Sequence, residues 1–242
     1  MRTNERFLEA LTSMNNVVKA DYASGKPWHY TNTKKRAKTF DAARKLNRLT
    51  NCVDAVQMGL RTAGVPASAL DWYGGQGKIV WCSPNARAEA LKYFDIIPTG
   101  GATVNSLYNN MKLADGDILL GYQKMSHTNC YIGGKRSFDA GASEGSVFKK
   151  WIFSLKWGRK KVNRILRLKD RAHYRVQAGA FNSMDEYNKT KAIIEKKGFA
   201  TSMVIEDGMY KIQLGSFSGK TTADRFAAQV AAKGIGVFVK EL

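Results

Sequence analysis

The chain has 242 residues, 44% of them hydrophobic and 24% charged, with a formal net charge of +19. That composition excludes bulk disorder, and no apolar run is long enough to span a bilayer, so membrane insertion is excluded as well. Three cysteines, Cys52, Cys82 and Cys130, are too few for a disulfide framework, and no Cys-x-x-Cys or His-x-x-x-His pair occurs, so neither a metal nor another cofactor is expected. The length accommodates one large domain or two small ones. From Tyr174 onward ten Lys/Arg face seven Asp/Glu, which leaves +3 there and +16 on residues 1–173. A charge so far from zero predicts a polyanionic partner: nucleic acid, an anionic membrane or an acidic cell wall. It exceeds what solubility needs.

In chain order, Met1 to Asn16 lacks the apolar stretch of a secretory signal. The next informative segment opens at Thr50. Val53, Val56, Leu60 and Ala63 fall on one face of a helix that Gly64 stops. Cys52 stands at its start, where backbone N–H groups and the helix dipole favour a thiolate nucleophile. About 75 residues on, Leu113-Ala-Asp-Gly-Asp117 turns into a strand, and Ser126-His127-Thr-Asn-Cys-Tyr-Ile-Gly133 forms the next. Gly134-Lys135 turns the chain into a third strand, Ser137-Phe138-Asp139-Ala140. His127 has the chemistry of a general base, and Asp139 that of the group orienting it. Alternation turns Cys130 away from the face of His127, Asn129 and Tyr131, so Cys130 reads as packing. Cys82, in a Trp-Cys-Ser-Pro loop, is assigned no role. Val162 to Leu168 reads as a strand closing the first domain.

This order resembles the NlpC/P60 family: a helix-leading Cys, a Gly-Asp before a strand, a His-x-x-hydrophobic-Tyr-hydrophobic-Gly strand, and a polar residue one strand later. The resemblance covers roughly residues 27–168. It implies a papain-like α+β fold and a Cys52–His127–Asp139 cysteine hydrolase, either an endopeptidase or an N-acetylmuramoyl-L-alanine amidase. Its substrate would be the stem peptide of bacterial peptidoglycan. Three departures stand out: Pro27-Trp-His-Tyr30 stands 22 to 25 residues before Cys52, where the family has its aromatic segment about a dozen before, with a basic insertion between, and the other two lie at the site itself. The segment around the nucleophile is Asn51-Cys52-Val53-Asp54-Ala55 in place of Asp-Cys-Ser-Gly-Phe, and the third residue is Asp139 where His is frequent. The family's aromatic at the oxyanion site would be Trp28 or Tyr30 of Pro27-Trp-His-Tyr-Thr31.

Beyond an expected linker at 169–173, Tyr174-Arg-Val-Gln-Ala-Gly-Ala-Phe181 returns 36 residues later as Tyr210-Lys-Ile-Gln-Leu-Gly-Ser-Phe217. Each copy alternates as a strand, with Tyr174, Val176 and Ala178 inward and Arg175, Gln177, Lys211 and Gln213 outward. A helical pattern follows each. Met184 to Lys197 has Ser183 as N-cap and Gly198 as stop, and Thr221 to Lys233 is closed by Gly234. With strands at Phe199–Ile205 and Ile235–Val239 the order is βαββαβ, a small closed pseudo-symmetric domain over 174–242. The region resembles the SPOR family, which implies binding of peptidoglycan glycan strands stripped of stem peptides. Gln177 and Gln213 would lie on the exposed sheet face, with Arg175 and Lys211 beside them.

Together the resemblances imply a wall hydrolase of domains 1–168 and 174–242. With no secretory signal, it would stay in the host cytoplasm until released to the wall, as a phage endolysin does. A catalytically silent wall-binding protein is the alternative. The βαββαβ order is also that of RNP-like RNA-recognition domains, but these need stacked aromatics on the sheet face, where this sequence has Arg/Gln and Lys/Gln. Nucleic acid is therefore the disfavoured partner. Acyl transfer to lipids by the same Cys-His chemistry is disfavoured by the SPOR-like neighbour.

Overall fold

In the computed structural model the described residues are 1–23, 52–75, 78–120, 127–139 and 158–242. They divide into two units, Met1–Arg171 and Ala172–Leu242. Among the described residues no helix is long and apolar enough to cross a membrane.

In the first unit, helix α1 (Thr3–Ala23) is followed by α2 (Cys52–Thr62), a single 3-10 turn (Ala67–Leu70) and a hairpin of β1 (Trp72–Gly75) with β2 (Lys78–Trp81). Then come α3 (Ala86–Tyr93), β3 (Phe94–Pro98), α4 (Val104–Asn109), β4 (Ile118–Leu120), β5 (Thr128–Tyr131), β6 (Ser137–Asp139) and β7 (Arg164–Leu168). Five of these strands form one antiparallel sheet in the order β3-β7-β4-β5-β6. The strand expected at Val162–Leu168 is thus central, paired on both sides.

Alternation gives this sheet two apolar faces. Ile118, Leu120, Cys130, Phe138, Leu166 and Leu168 share one core with Phe7 and Leu11 of α1 and Val56 and Leu60 of α2. Leu119, Tyr131 and Ile165 share a second core with Val104 and Leu107 of α4. Helix α1 was not read from the sequence, although Phe7, Leu11 and Met14 recur at helical spacing and are all buried. It lies tightly on α2: a Cβ at Gly59 would come within 2.7 Å of Leu11 Cδ2. Only glycine allows that approach.

One buried carboxylate ties these parts together. Asp117, fully buried at the entry to β4, receives Arg167 of β7 in a two-pronged pair, Nε to Oδ1 at 2.7 Å and Nη2 to Oδ2 at 2.6 Å. Its Oδ2 also accepts from the Ala114 backbone N–H at 2.8 Å, and Arg171 Nη1 stands 3.7 Å from Oδ1. Arg171 in turn donates to Asn4 Oδ1 of α1 at 3.1 Å, and Asn4 donates to the Asp115 carbonyl. Residues 169–171, expected as the start of a linker, are therefore anchored in the first unit. Asp170 accepts from both the N–H and the hydroxyl of Thr3, and the Lys169 N–H donates to the Tyr93 carbonyl.

The second unit has the expected order: β8 (Tyr174–Phe181), α5 (Met184–Lys196), β9 (Ser202–Glu206), β10 (Met209–Phe217), α6 (Lys220–Ala231) and β11 (Phe238–Glu241). The two repeated strands are central neighbours in an antiparallel sheet ordered β11-β8-β10-β9. Ser183 caps α5, its hydroxyl accepting from the Asp185 N–H. Ala178, Ile212 and Leu214 meet Tyr187 and Ile194 of α5 and Val230 of α6 in one core. Between β9 and β10 the turn residues Asp207 and Gly208 both have positive φ, 55° and 73°. This two-residue connection matches the twist of paired strands.

Removing the Asp117 carboxylate leaves Arg167 and Arg171 short of their shared counter-charge inside the protein. Asp117→Ala is expected to destabilise the first unit by about 3–5 kcal/mol, measured by urea unfolding. A loss below about 1 kcal/mol, the range of an exposed pair, would show that water replaces the carboxylate.

Candidate functional site

Two groups of residues singled out by the sequence have definite positions. In the first unit Cys52 is the first residue of α2 and is half-buried, while Cys82 is exposed and Cys130 fully buried. Burial, with the negative charge of Asp117 nearby, pushes the Cys130 thiol well above its ordinary pKa, which fits a packing role. His127 immediately precedes β5 and is buried. The β5–β6 register sets Asp139 opposite Asn129. Trp28 and Tyr30 lie outside the described residues.

Helix α2 packs against β5, which His127 immediately precedes, and β6, which ends at Asp139. Its buried side chains meet the sheet face of Cys130 and Phe138. Asn129 and Tyr131, in step with His127, alternate onto the opposite face, where Tyr131 joins the second core. The body of α2 thus meets the sheet face opposite to the one in step with His127.

In the second unit the helices cover one side of the sheet, and the residues read as outward share the other. Gln177 pairs directly with Gln213 on one side and with Phe238 on the other. Arg175 pairs with Ser216 and Lys240, and Lys211 with Val204. The facing is as expected, but the exposure is not. Gln177 is 0% exposed, and neither its Oε1 nor its Nε2 has a hydrogen-bond partner. Lys211 is also buried, held by Glu206 at 2.9 Å and Asp207 at 3.2 Å. Gln213 and Arg175 are half-buried, and Arg175 has Nε and Nη1 buried without a partner.

Residues 170–241 match the model of the SPOR domain. The second unit is a SPOR domain. Among solved structures the chain is similar to the "peptidoglycan binding domain of B. subtilis cell wall lytic enzyme CwlC", at 33% identity over 31% of this chain and 96% of that one, with a TM-score of 0.29. No curated protein matches the chain.

The SPOR face thus combines a recessed neutral amide with a chain of charge. Glu206, on edge strand β9, reaches Lys211 on β10 and also Lys240 on the opposite edge strand β11, at 2.7 Å. With β8 and β10 between those edges, the bridge spans the face on which Gln177 stands. Sequence reading missed Glu206 and Lys240. The Asp207-Gly208 pair was the available signal for a tight hairpin, which would have set Glu206 and Lys211 side by side.

A buried amide with no partner costs about 1–3 kcal/mol. Gln177→Met, which keeps length and removes the amide, is accordingly expected to raise the stability of the SPOR domain by that amount in thermal or urea unfolding. Destabilisation would mean that the amide has a partner in solution. Hydrogen bonds from Lys240 and Lys211 pull the Glu206 carboxyl down to a pKa of about 2. Because this folded-state value lies below the ordinary one, Glu206 contributes stability above pH ~4.5 that is lost as the pH falls toward 2. An NMR titration of its side-chain carboxyl checks this; a midpoint near 4.5 would mean the bridge is open in solution.

Proposed function

We propose that this chain is a peptidoglycan hydrolase whose SPOR domain binds glycan and whose first unit cuts an amide bond in the wall's peptide. The family match over residues 170–241 carries the binding half, and the domain of the lytic enzyme CwlC, described as peptidoglycan binding, agrees with it. An unpartnered amide in a recess supports the same reading. Sugars are neutral, hydroxyl-rich and amide-bearing, so they satisfy the donor and acceptor that Gln177 leaves open.

The catalytic half rests on the NlpC/P60 resemblance of Cys52, Gly116-Asp117, His127 to Gly133 and Asp139, and on the packing of α2 against β5 and β6. In the mechanism those residues imply, the Cys52 thiolate attacks the scissile carbonyl and forms a tetrahedral oxyanion. Backbone N–H groups at the start of α2, that of Cys52 among them, receive that charge. His127 gives its proton to the leaving amine as the thioester forms, then takes one from water as the thioester is hydrolysed. Asp139 orients the imidazole and stabilises its charged form. The +16 of residues 1–173 would draw the enzyme to an anionic wall, strongly so at low salt. Release to the wall would follow the endolysin route expected from the sequence.

A second reading, a wall-binding protein without turnover, is favoured by one observation. The body of α2 meets the Cys130 face of the sheet, not the face in step with His127. Digestion of purified peptidoglycan by wild type and Cys52→Ala, with fragments identified by mass spectrometry, separates the two. Turnover is expected to vanish in a folded Cys52→Ala. Stem peptides freed from intact glycan would make the activity an amidase, and fragments cut within the peptide an endopeptidase. Absence of any Cys52-dependent product, with binding retained, leaves the second reading.

A further inference from the structure

Resting on the glycan-binding reading, we propose that Glu206 is a built-in competitor of the ligand: it holds the place that a carboxylate of the glycan takes between Lys211 and Lys240. Three observations converge on this. First, Glu206 divides its two oxygens between two ammonium groups, Oε2 to Lys211 at 2.9 Å and Oε1 to Lys240 at 2.7 Å. This is a two-cation site for one carboxylate, already filled from within. Second, its cations come from two strands of the sheet and its carboxylate from a third, and the Glu206–Lys240 contact joins opposite edges over the two central strands. Third, the central strand under that span carries Gln177, fully buried with both amide atoms unpartnered, and Arg175, with buried unpartnered guanidinium nitrogens. Polar groups left without partners beneath an ion-pair bridge are the signature of a site folded shut.

The chemistry of the ligand fits the occupant. Muramic acid carries a lactyl carboxyl group. In a stem-peptide-bearing strand that group is locked in an amide and is neutral; once the peptide is removed it is a free carboxylate. A stripped strand therefore offers what Glu206 offers, together with sugar amides and hydroxyls for Gln177. On binding, the ligand carboxylate displaces Glu206 from Lys211 and Lys240, Glu206 turns to solvent, and the recess opens. A strand that keeps its peptides has no free lactyl carboxylate on the glycan with which to displace Glu206.

The test is binding of the full chain to three purified glycans: stripped strands, stripped strands with the lactyl carboxyl reduced to an alcohol, and strands bearing peptides. Wild type is expected to prefer the first. Glu206→Gln removes the competitor and is expected to tighten binding to stripped strands about three- to tenfold, the tax that a closed state places on apparent affinity. Lys240→Met is expected to weaken that binding and to bring it level with binding to the reduced glycan. Glu206→Asp, too short to span to Lys240, guards against a folding defect in the glutamine variant, and melting temperatures report on both. Unchanged or weaker binding by folded Glu206→Gln and Glu206→Asp, while wild type binds, overturns the competitor and leaves the glycan-binding reading intact. Equal binding to stripped and reduced strands overturns it too. No binding by any form to any glycan overturns both.

Discussion

The buried Asp117 carboxylate is the constraint on which the first unit is built. It lies where the chain enters β4, and the groups that neutralise it come from β7 and from the end of the unit, 50 and more residues away. Such an ion pair gains little over apolar packing of equal volume, but once the carboxylate is inside, its cations must be there too. That requirement is met with β7 beside β4, in the register that brings Arg167 to Asp117. It also fixes the final residues of the unit, because Arg171 is shared with Asn4. A sheet whose central strands are so pinned presents β5 and β6 in one register, with α2 against them.

The two units use polar burial in opposite ways. In the first, Asp117 is saturated, and so is Gln57 of α2, whose amide donates to the carbonyls of Leu70 and Trp72. These groups organise loops and leave nothing for a ligand. In the SPOR domain Gln177 is just as buried and has nothing to bond. The contrast is between a buried amide that fixes its surroundings and one whose hydrogen-bonding capacity the fold leaves unused.

Local signals were legible in the sequence wherever a few neighbouring residues decide the outcome. Ser183 and Gly198 bound α5, the repeat supplied both central strands of the SPOR sheet, and Val53, Val56 and Leu60 gave α2 its buried face. The strand order βαββαβ followed from these alone. What was not legible depended on partners distant in the chain. Gln177 alternates outward as expected, yet it is buried, on a central strand flanked by Gln213 and Phe238, which lie 36 and 61 positions along the chain. Asp117 read as a turn residue because its arginines lie far along the chain, one in the strand expected at Val162–Leu168 and one in the expected linker. Helix α1 is a different case. Its spacing was visible, but its apolar residues are sparse and gain meaning only against Gly59 of α2.

The hairpin of β9 and β10 sets a clock for whatever Glu206 does. Its turn has two residues, and Lys211 is only five residues from Glu206. The Lys240 arm crosses the sheet, 34 residues away, but both arms are side-chain contacts, and side-chain swings are faster than the microseconds in which hairpins form. A protein meeting a polymer in solution waits far longer than that between encounters. The bridge therefore cannot act as a latch that must be sprung; it is always at equilibrium, and its influence is measured only by how often it is closed.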